Sequence, residues 1–251
     1  MTGAKVVFTT RLGGVSRAPF DSLNLSSASG DEPADVERNR RAVSAALGIP
    51  AGWATARQVH GCAVVVTGAG GVAPAEADAI VTTEPGTPVA ILTADCVPIA
   101  LAGAGVVAAV HAGWRGLCRG VVAAGAERAR AAGGGGSALE GGGSALEGWI
   151  GPCIGPCCYE VGPEVPEAFA ARFPQAPDCR VMVGGSLHFD LRAASAAALA
   201  GAGVRLAGPV DVPCTACDRR FFSHRRDAAQ LGATGRQALI AWLDGEEGTP
   251  R

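Results

Sequence analysis

The strongest constraint on this chain is the stretch 91–116, ILTADCVPIALAGAGVVAAVHAGWRG. Two apolar runs at 97–102 and 106–110 are rich in β-branched residues and too short for helices. Gly103-Ala104-Gly105 between them supplies the positive φ of a three-residue hairpin loop. A β-hairpin is predicted. Folding it about Ala104 sets position 97 across from 111 and 96 across from 112, so Cys96 and His111 meet at the open end of the ladder. A register displaced by one residue, or a bulge, puts them on one face. A buried apolar Cys and a hydrogen-bonded His would explain each residue alone. Asp95 before the Cys and Gly113-Trp114-Arg115-Gly116 after the His favour a site mouth instead.

The 251 residues are 48% hydrophobic, ample for a core, and are read as one domain spanning 1–251. The longest apolar stretch is interrupted by glycines and falls short of the roughly 20 residues that span a bilayer. Nothing near Met1 reads as a signal peptide, so no membrane is expected and a cytoplasmic location is. Nine cysteines without an export signal read as thiols, metal ligands or buried apolar groups. A net charge of −2 and 5% aromatics give no footprint for nucleic acid. Lys5 is the only lysine, which excludes a P-loop and argues against Schiff-base chemistry.

Along the chain, 5–10 reads as a strand that ends at Arg11 and Gly13-Gly14, a loop suited either to an anion or to a solvated turn. Asp31-Glu32-Pro33 opens a helix that Gly48 stops. Strands are predicted at 63–67, 78–83, 88–93 and 237–243, with one or two more within 204–212. Helices are predicted at 117–132, 164–173 and, capped by Asp190, through Leu199. GGGSALE occurs twice in tandem within 133–148, and three glycines per repeat predict a flexible surface loop. No regular βαβ rhythm or GxGxxG appears, so a Rossmann domain is not expected.

A catalytic zinc site uses three protein ligands and keeps one position open, and zinc accepts imidazole together with thiolate. His60, Cys96 and His111 supply that set, using half of the chain's four histidines. Asp95 then orients a ligand or carries a proton, and Arg115 faces an anionic substrate group. A second, structural zinc site from Cys153, Cys157, Cys214 and Cys217 is disfavoured, because the Gly-Pro loop and bland flanks are unlike a zinc ribbon. Two other classes stay open: a metal-free hydrolase with Cys96 as nucleophile, a His base and Asp95 as orienter, and a protein that only binds a ligand.

Six ordered motifs, TRLGGVS with SLNL, QVHG, TADCVPI, AAVHAGWRG, IGPCIGP with YEVG, and FFSHRRD with GR, cover nearly the whole chain. In them the sequence resembles the laccase-domain, YfiH-like family of purine nucleoside phosphorylases, formerly described as multicopper polyphenol oxidases. The resemblance implies an α+β fold layered α-β-β-α and zinc on His60, Cys96 and His111. It implies phosphorolysis of adenosine, inosine and methylthioadenosine, with deamination of adenosine. Nucleoside and phosphate are the expected partners, and a monomer is expected. Carried onto the motifs, the catalytic candidates are Asp95, Arg115, Arg11, Asn24 and Gln58. Arg11, Arg57, Arg115, Arg225 and Arg226 form the pool of cations for phosphate. His224 departs from the Tyr more usual in the family. Four coppers would need roughly ten histidines where imidazole is the favoured ligand; this chain has four, which argues against phenol oxidation while leaving copper as a rival ion at the thiolate site.

Overall fold

The computed structural model describes residues 3–68, 75–134 and 145–245. In chain order the elements are β1 (Ala4–Phe8), α1 (Pro33–Leu47), β2 (Val64–Thr67), β3 (Ala79–Thr82), β4 (Val89–Thr93), β5 (Val97–Gly103) and β6 (Val106–Ala112). There follow α2 (Trp114–Arg119), α3 (Val121–Ala132), β7 (Glu147–Ile150), α4 (Glu164–Arg172), β8 (Arg180–Val183) and β9 (Ser186–Phe189). The last are α5 (Leu191–Gly201), β10 (Arg205–Leu206), a π-helical turn at His224–Ala228, α6 (Ala229–Leu231) and β11 (Gln237–Leu243). The GGGSALE repeats lie mostly outside the described residues.

Two sheets form the middle of the fold, one ordered β1-β11-β4 and the other β10-β7-β5-β6-β3-β2. Strand alternation sorts the apolar residues into three cores. Ile80, Ala100, Val107 and Ala109 face Val89, Ile91, Leu239 and Ala241 between the sheets. Ile99, Leu101, Ala108 and Val110 point the other way, onto Val121, Ala126, Val165 and Leu199 of α3, α4 and α5. The outer side of the smaller sheet, Ala90, Ala238 and Ile240, packs on Val43 of α1 and on Leu23, Leu25 and Trp53. The layers are therefore α-β-β-α in an α+β fold, as the resemblance implies.

Local chemistry sets most boundaries. Pro33 opens α1, and Gly48, at φ 66, closes it with its N–H on the carbonyls of Ser44 and Ala45. The Asp190 side chain accepts from the N–H groups of Arg192 and Ala193 at the start of α5. The helix predicted over 117–132 is two helices, because Gly120 turns the backbone to φ 85 between α2 and α3. Arg130 of α3 donates to the carbonyls of Ala202 and Gly203 just beyond α5. The β8–β9 hairpin was not foreseen; Gly184-Gly185, at φ 58 and 90, makes its tight turn.

The central hairpin differs from expectation by one residue. β5 pairs β6 with Pro98 opposite His111 and Gly103 opposite Val106, leaving a two-residue turn at Ala104-Gly105. Gly105 alone carries the positive φ, of 66, and Gly103 remains in the strand. This shift is what puts the site together. With Pro98 across from His111, positions 96, 98, 100 and 102 share the sandwich-facing side with 107, 109 and 111.

Candidate metal centre

The site lies at the end of the sandwich where β2, β3, β5 and β11 begin and β4, β6 and β7 finish. His111 is the penultimate residue of β6, and extending the β3–β6 register sets Asp78 directly across from it. Their backbones bond, His111 N–H to Asp78 carbonyl at 2.7 Å, and their side chains meet with His111 Nδ1 2.8 Å from Asp78 Oδ1. That contact turns Nε2 of His111 towards the cavity.

Asp78 is fully buried and also accepts from the backbone N–H of Val59 (3.2 Å), His60 (2.9 Å) and Gly61 (2.7 Å). Those bonds fix the turn that carries His60, whose backbone sits at φ 57. Among the described residues only His60 and Asp95, at φ 91, combine a side chain with positive φ, and both line this cavity. Two such costly conformations at one place make this cavity the candidate functional site.

His60 and His111 stack edge to face with ring centroids 4.9 Å apart, and Cys96 Sγ lies 3.8 Å from His60 Nε2. One ligand atom from each of His60, Cys96 and His111 falls within 4.8 Å of the others. Tetrahedral zinc with bonds of about 2.0 Å to N and 2.3 Å to S separates such atoms by roughly 3.3–3.5 Å, so a small adjustment of the set accommodates a divalent ion. Gly113 makes room for this approach: a Cβ there would stand 2.9 Å from His60 Cδ2 and 3.1 Å from Cys96 Sγ.

Electrostatics prepare the same set. Burial opposes ionisation of Cys96, yet the His111 and His60 imidazoles bring its thiol down to about 6. Burial likewise works against a charged His111, but the Cys96 thiolate and Asp78 hold it up at about 9. Burial would raise the Asp78 carboxyl, and the hydrogen bond from His111 with the N–H of Gly61 and Val59 takes it to about 2. These directions favour the thiolate, and an ion held by the three side chains would take the place of the imidazole proton.

The cavity of about 560 Å³ is lined by these ligands and by Ser26, Ser29, Asp95, Trp114, Arg115, Tyr159, His224, Arg225 and Arg236, among others. Its charge is positive. Arg225 donates to the carbonyls of Cys158 and Glu160, and Arg236 to those of Thr234 and Gly235, so neither charge is neutralised by these partners. Arg115 is exposed, rests 4.4 Å from the Trp114 ring centre and has no ion-pair partner among the described residues. Arg57 also lines the cavity but is paired with Glu76.

Several expected roles move. The carboxylate that holds the His111 ring is Asp78; the Asp95 oxygens accept instead from Thr215 Oγ1 and Arg225 N–H, both at 2.6 Å. Arg11 is outside the lining; it pairs with Asp227 and Asp21 and lies 4.5 Å over Phe222. Asn24 is fully buried and braces two lining residues, accepting from the N–H of Ser26 and Arg236. Gln58 borders the cavity, but its amide exchanges two 2.8 Å bonds with the Leu92 backbone. Arg226 is also withdrawn, tied to Asp227 and to the carbonyls of Thr215 and Phe221. Asp78 and Arg236 were missed. A lone acid at a strand start gives no signal, whereas Arg236 stood in view within the GR motif.

Two imidazoles and a thiolate at an open cavity make a candidate metal centre, of the ligand type that catalytic sites use when they keep one position for substrate or solvent. The family described as multi-copper polyphenol oxidoreductase laccase matches residues 5–244, and the chain belongs to this laccase-domain, YfiH-like family. It is 39% identical over 244 residues to the purine nucleoside phosphorylase YfiH of Shigella flexneri, covering 96% of this chain and 94% of that protein. It is also 39% identical to the purine nucleoside phosphorylase Rv2149c of Mycobacterium tuberculosis, over 95% and 91% of the two chains. Among solved structures, Neisseria meningitidis protein NMB0706 superposes with a TM-score of 0.81 at 35% identity, over 97% and 95% of the chains. YlmD from Geobacillus stearothermophilus gives 0.82 at 30% identity, over 97% and 93%.

Proposed function

We propose that this protein is a zinc-dependent purine nucleoside phosphorylase acting on adenosine, inosine and methylthioadenosine, with adenosine deamination at the same site. The carrying observation is the meeting, in one cavity, of a candidate metal-ligand set with the guanidinium groups of Arg115, Arg225 and Arg236. The relatives' names point the same way.

His60, Cys96 and His111 would hold the ion. When bound, zinc acts as a Lewis acid and lowers the pKa of water towards about 7, which suits attack at C6 of a purine. The chain's own residues handle the rest. Arg115, Arg225 and Arg236 draw phosphate to the ribose and hold its oxygens for displacement of the base at C1′. Trp114 and Tyr159 offer apolar faces to the purine. Asp95 is the only carboxylate among the described lining residues and is the candidate to carry a proton to or from the base. The polar group expected from the family's usual Tyr is supplied by His224 on the same wall. Among the described residues no helix is long and apolar enough to cross a membrane.

The second reading is the thiol nucleophile, which a specific geometry favours: Cys96, His111 and Asp78 line up as thiolate, imidazole and carboxylate. Copper at the three ligands is the rival for the ion, but His188 is spent on the Pro156 carbonyl, so a multicopper set lacks imidazoles.

The test is incubation with adenosine, with and without phosphate, followed by separation of adenine, inosine and hypoxanthine. Adenine formed only with phosphate is the expected result, and inosine in both reactions is expected from deamination. No base or inosine in either reaction overturns the proposal. Activity that survives chelation transfers the site to the thiol reading.

A further inference from the structure

Beyond the cavity, the fold brings four sulfurs together from two distant loops. Cys157 and Cys158 lie on one, Cys214 and Cys217 on the other, and all four Sγ atoms fall within 4.8 Å of one another. Cys217 Sγ is 3.6 Å from that of Cys157 and 3.3 Å from that of Cys158. Tetrahedral zinc with Zn–S bonds of about 2.3 Å sets its sulfurs roughly 3.8 Å apart, so these contacts are near those of a closed four-thiolate centre. Cys153, which the sequence grouped with them, is instead fully buried in the helix-side core, and Cys158 takes its place.

The backbone builds the cluster independently of any ion. Cys153 and Cys214 form a parallel bridge, with Cys153 N–H on the Pro213 carbonyl at 3.3 Å and Thr215 N–H on the Cys153 carbonyl at 3.0 Å. From that bridge each loop closes a turn: Cys158 N–H bonds the Gly155 carbonyl, and Asp218 N–H the Cys214 carbonyl. The N–H of Gly155 points at Cys214 Sγ, at 3.2 Å, which is the support a metal-bound thiolate receives. His188 holds the Pro156 carbonyl from behind at 2.6 Å. Cys214-Thr215-Ala216-Cys217 has the spacing of a zinc knuckle. Cys157 and Cys217 are exposed, so an ion can reach them.

We infer that Cys157, Cys158, Cys214 and Cys217 form a second, structural centre for zinc, separate from the one formed by His60, Cys96 and His111. Zinc enters as each thiol gives its proton to solvent, and no electron transfer is involved. Its work is to clamp two loops that shape the cavity. One ends in Tyr159 and begins beside Ile154, both lining residues; the other carries Thr215, which fixes Asp95. Arg225 ties the two further, bonding the Cys158 carbonyl while its own N–H holds Asp95.

The test uses the full-length Cys96→Ser protein, in which the first centre is disabled, purified under reducing conditions with zinc in the medium. Metal analysis is expected to find a single equivalent of zinc, lost when Cys214→Ser and Cys217→Ser are added. Replacement by cobalt in the Cys96→Ser chain alone should give the strong near-ultraviolet thiolate bands and tetrahedral visible bands of a four-sulfur site. That measurement decides even if the triple variant does not fold. Chelation of the same protein should lower Tm. Folded Cys96→Ser protein with no zinc and no such cobalt spectrum overturns the inference. So does alkylation with mass analysis showing Cys158 and Cys217 joined, lacking two hydrogens. Since Cys96 is absent throughout, neither result depends on the first centre.

Discussion

Replacing Asp78 by Asn tests the site at its least exposed point, because the side chain keeps its size and loses only its capacity to accept on both sides. Asp78 Oδ1 receives His60 N–H and His111 Nδ1, while Oδ2 receives Val59 and Gly61 N–H. An amide has one oxygen for these four donors, so two must face an NH2 group. If it faces His111, the amide donates to Nδ1 and the proton moves to Nε2, the atom meant for the metal. If it faces Val59 and Gly61, the turn bearing His60 loosens. One lost bond in the first case, or two in the second, cost about 1.5–6 kcal/mol at about 1.5–3 kcal/mol each. Metal affinity should fall about 10–100-fold, the usual result of removing the partner of a metal-bound His. Competition with a chromophoric chelator near neutral pH measures this directly, and thermal melting measures the first cost. Asp95→Asn is the control, expected to keep its metal, since its oxygens face Thr215 and Arg225. Unchanged metal affinity in Asp78→Asn, or loss of metal in Asp95→Asn alone, would refute the assignment.

Three further outcomes follow from the geometry. Arg115→Ala should raise KM for phosphate about tenfold or more, the worth of one charge-assisted bond of about 1.5–3 kcal/mol, with zinc content unchanged; an unaltered KM rejects its role. Gly113→Ala should lower zinc occupancy and activity with a small change in Tm, since its Cβ meets His60 and Cys96 before any part of the core; full occupancy by metal analysis rejects the close approach. Burial opposes ionisation of Asp227, but Arg226, the Ser223 N–H and Arg11 hold its carboxyl below the usual range. The stability it adds is thus present above the unfolded value of about 3.9 and lost as pH falls through the folded one. Asp227→Asn should flatten the acid side of a Tm-against-pH curve, and an equally steep acid limb contradicts this.

Much of this was legible in residue patterns because local rules set it. The β-branched runs around residue 104, the acidic start and glycine end of α1, and the Asp190 cap each specify an element without help from distant residues. Pairing was harder to read. The hairpin register rests on whether Gly103 belongs to strand or turn, and one residue decides whether Cys96 and His111 share a face. Arg11 and Asn24 sit in conspicuous motifs, yet their contacts are with Asp227, Phe222 and the Ser26 and Arg236 backbones, which only the fold brings near. Asp78 and the partnership of Cys158 with Cys217 depend on neighbours across the sheet or some 59 residues along the chain. No spacing rule reaches them.

The most direct measurement of the central claim is anomalous diffraction at the zinc edge from crystals of protein grown with zinc. The account predicts a peak within bonding distance of His60, His111 Nε2 and Cys96 Sγ, opening onto the cavity that holds Arg115, Arg225 and Arg236. Zinc found only elsewhere, with these three side chains turned apart, would contradict it.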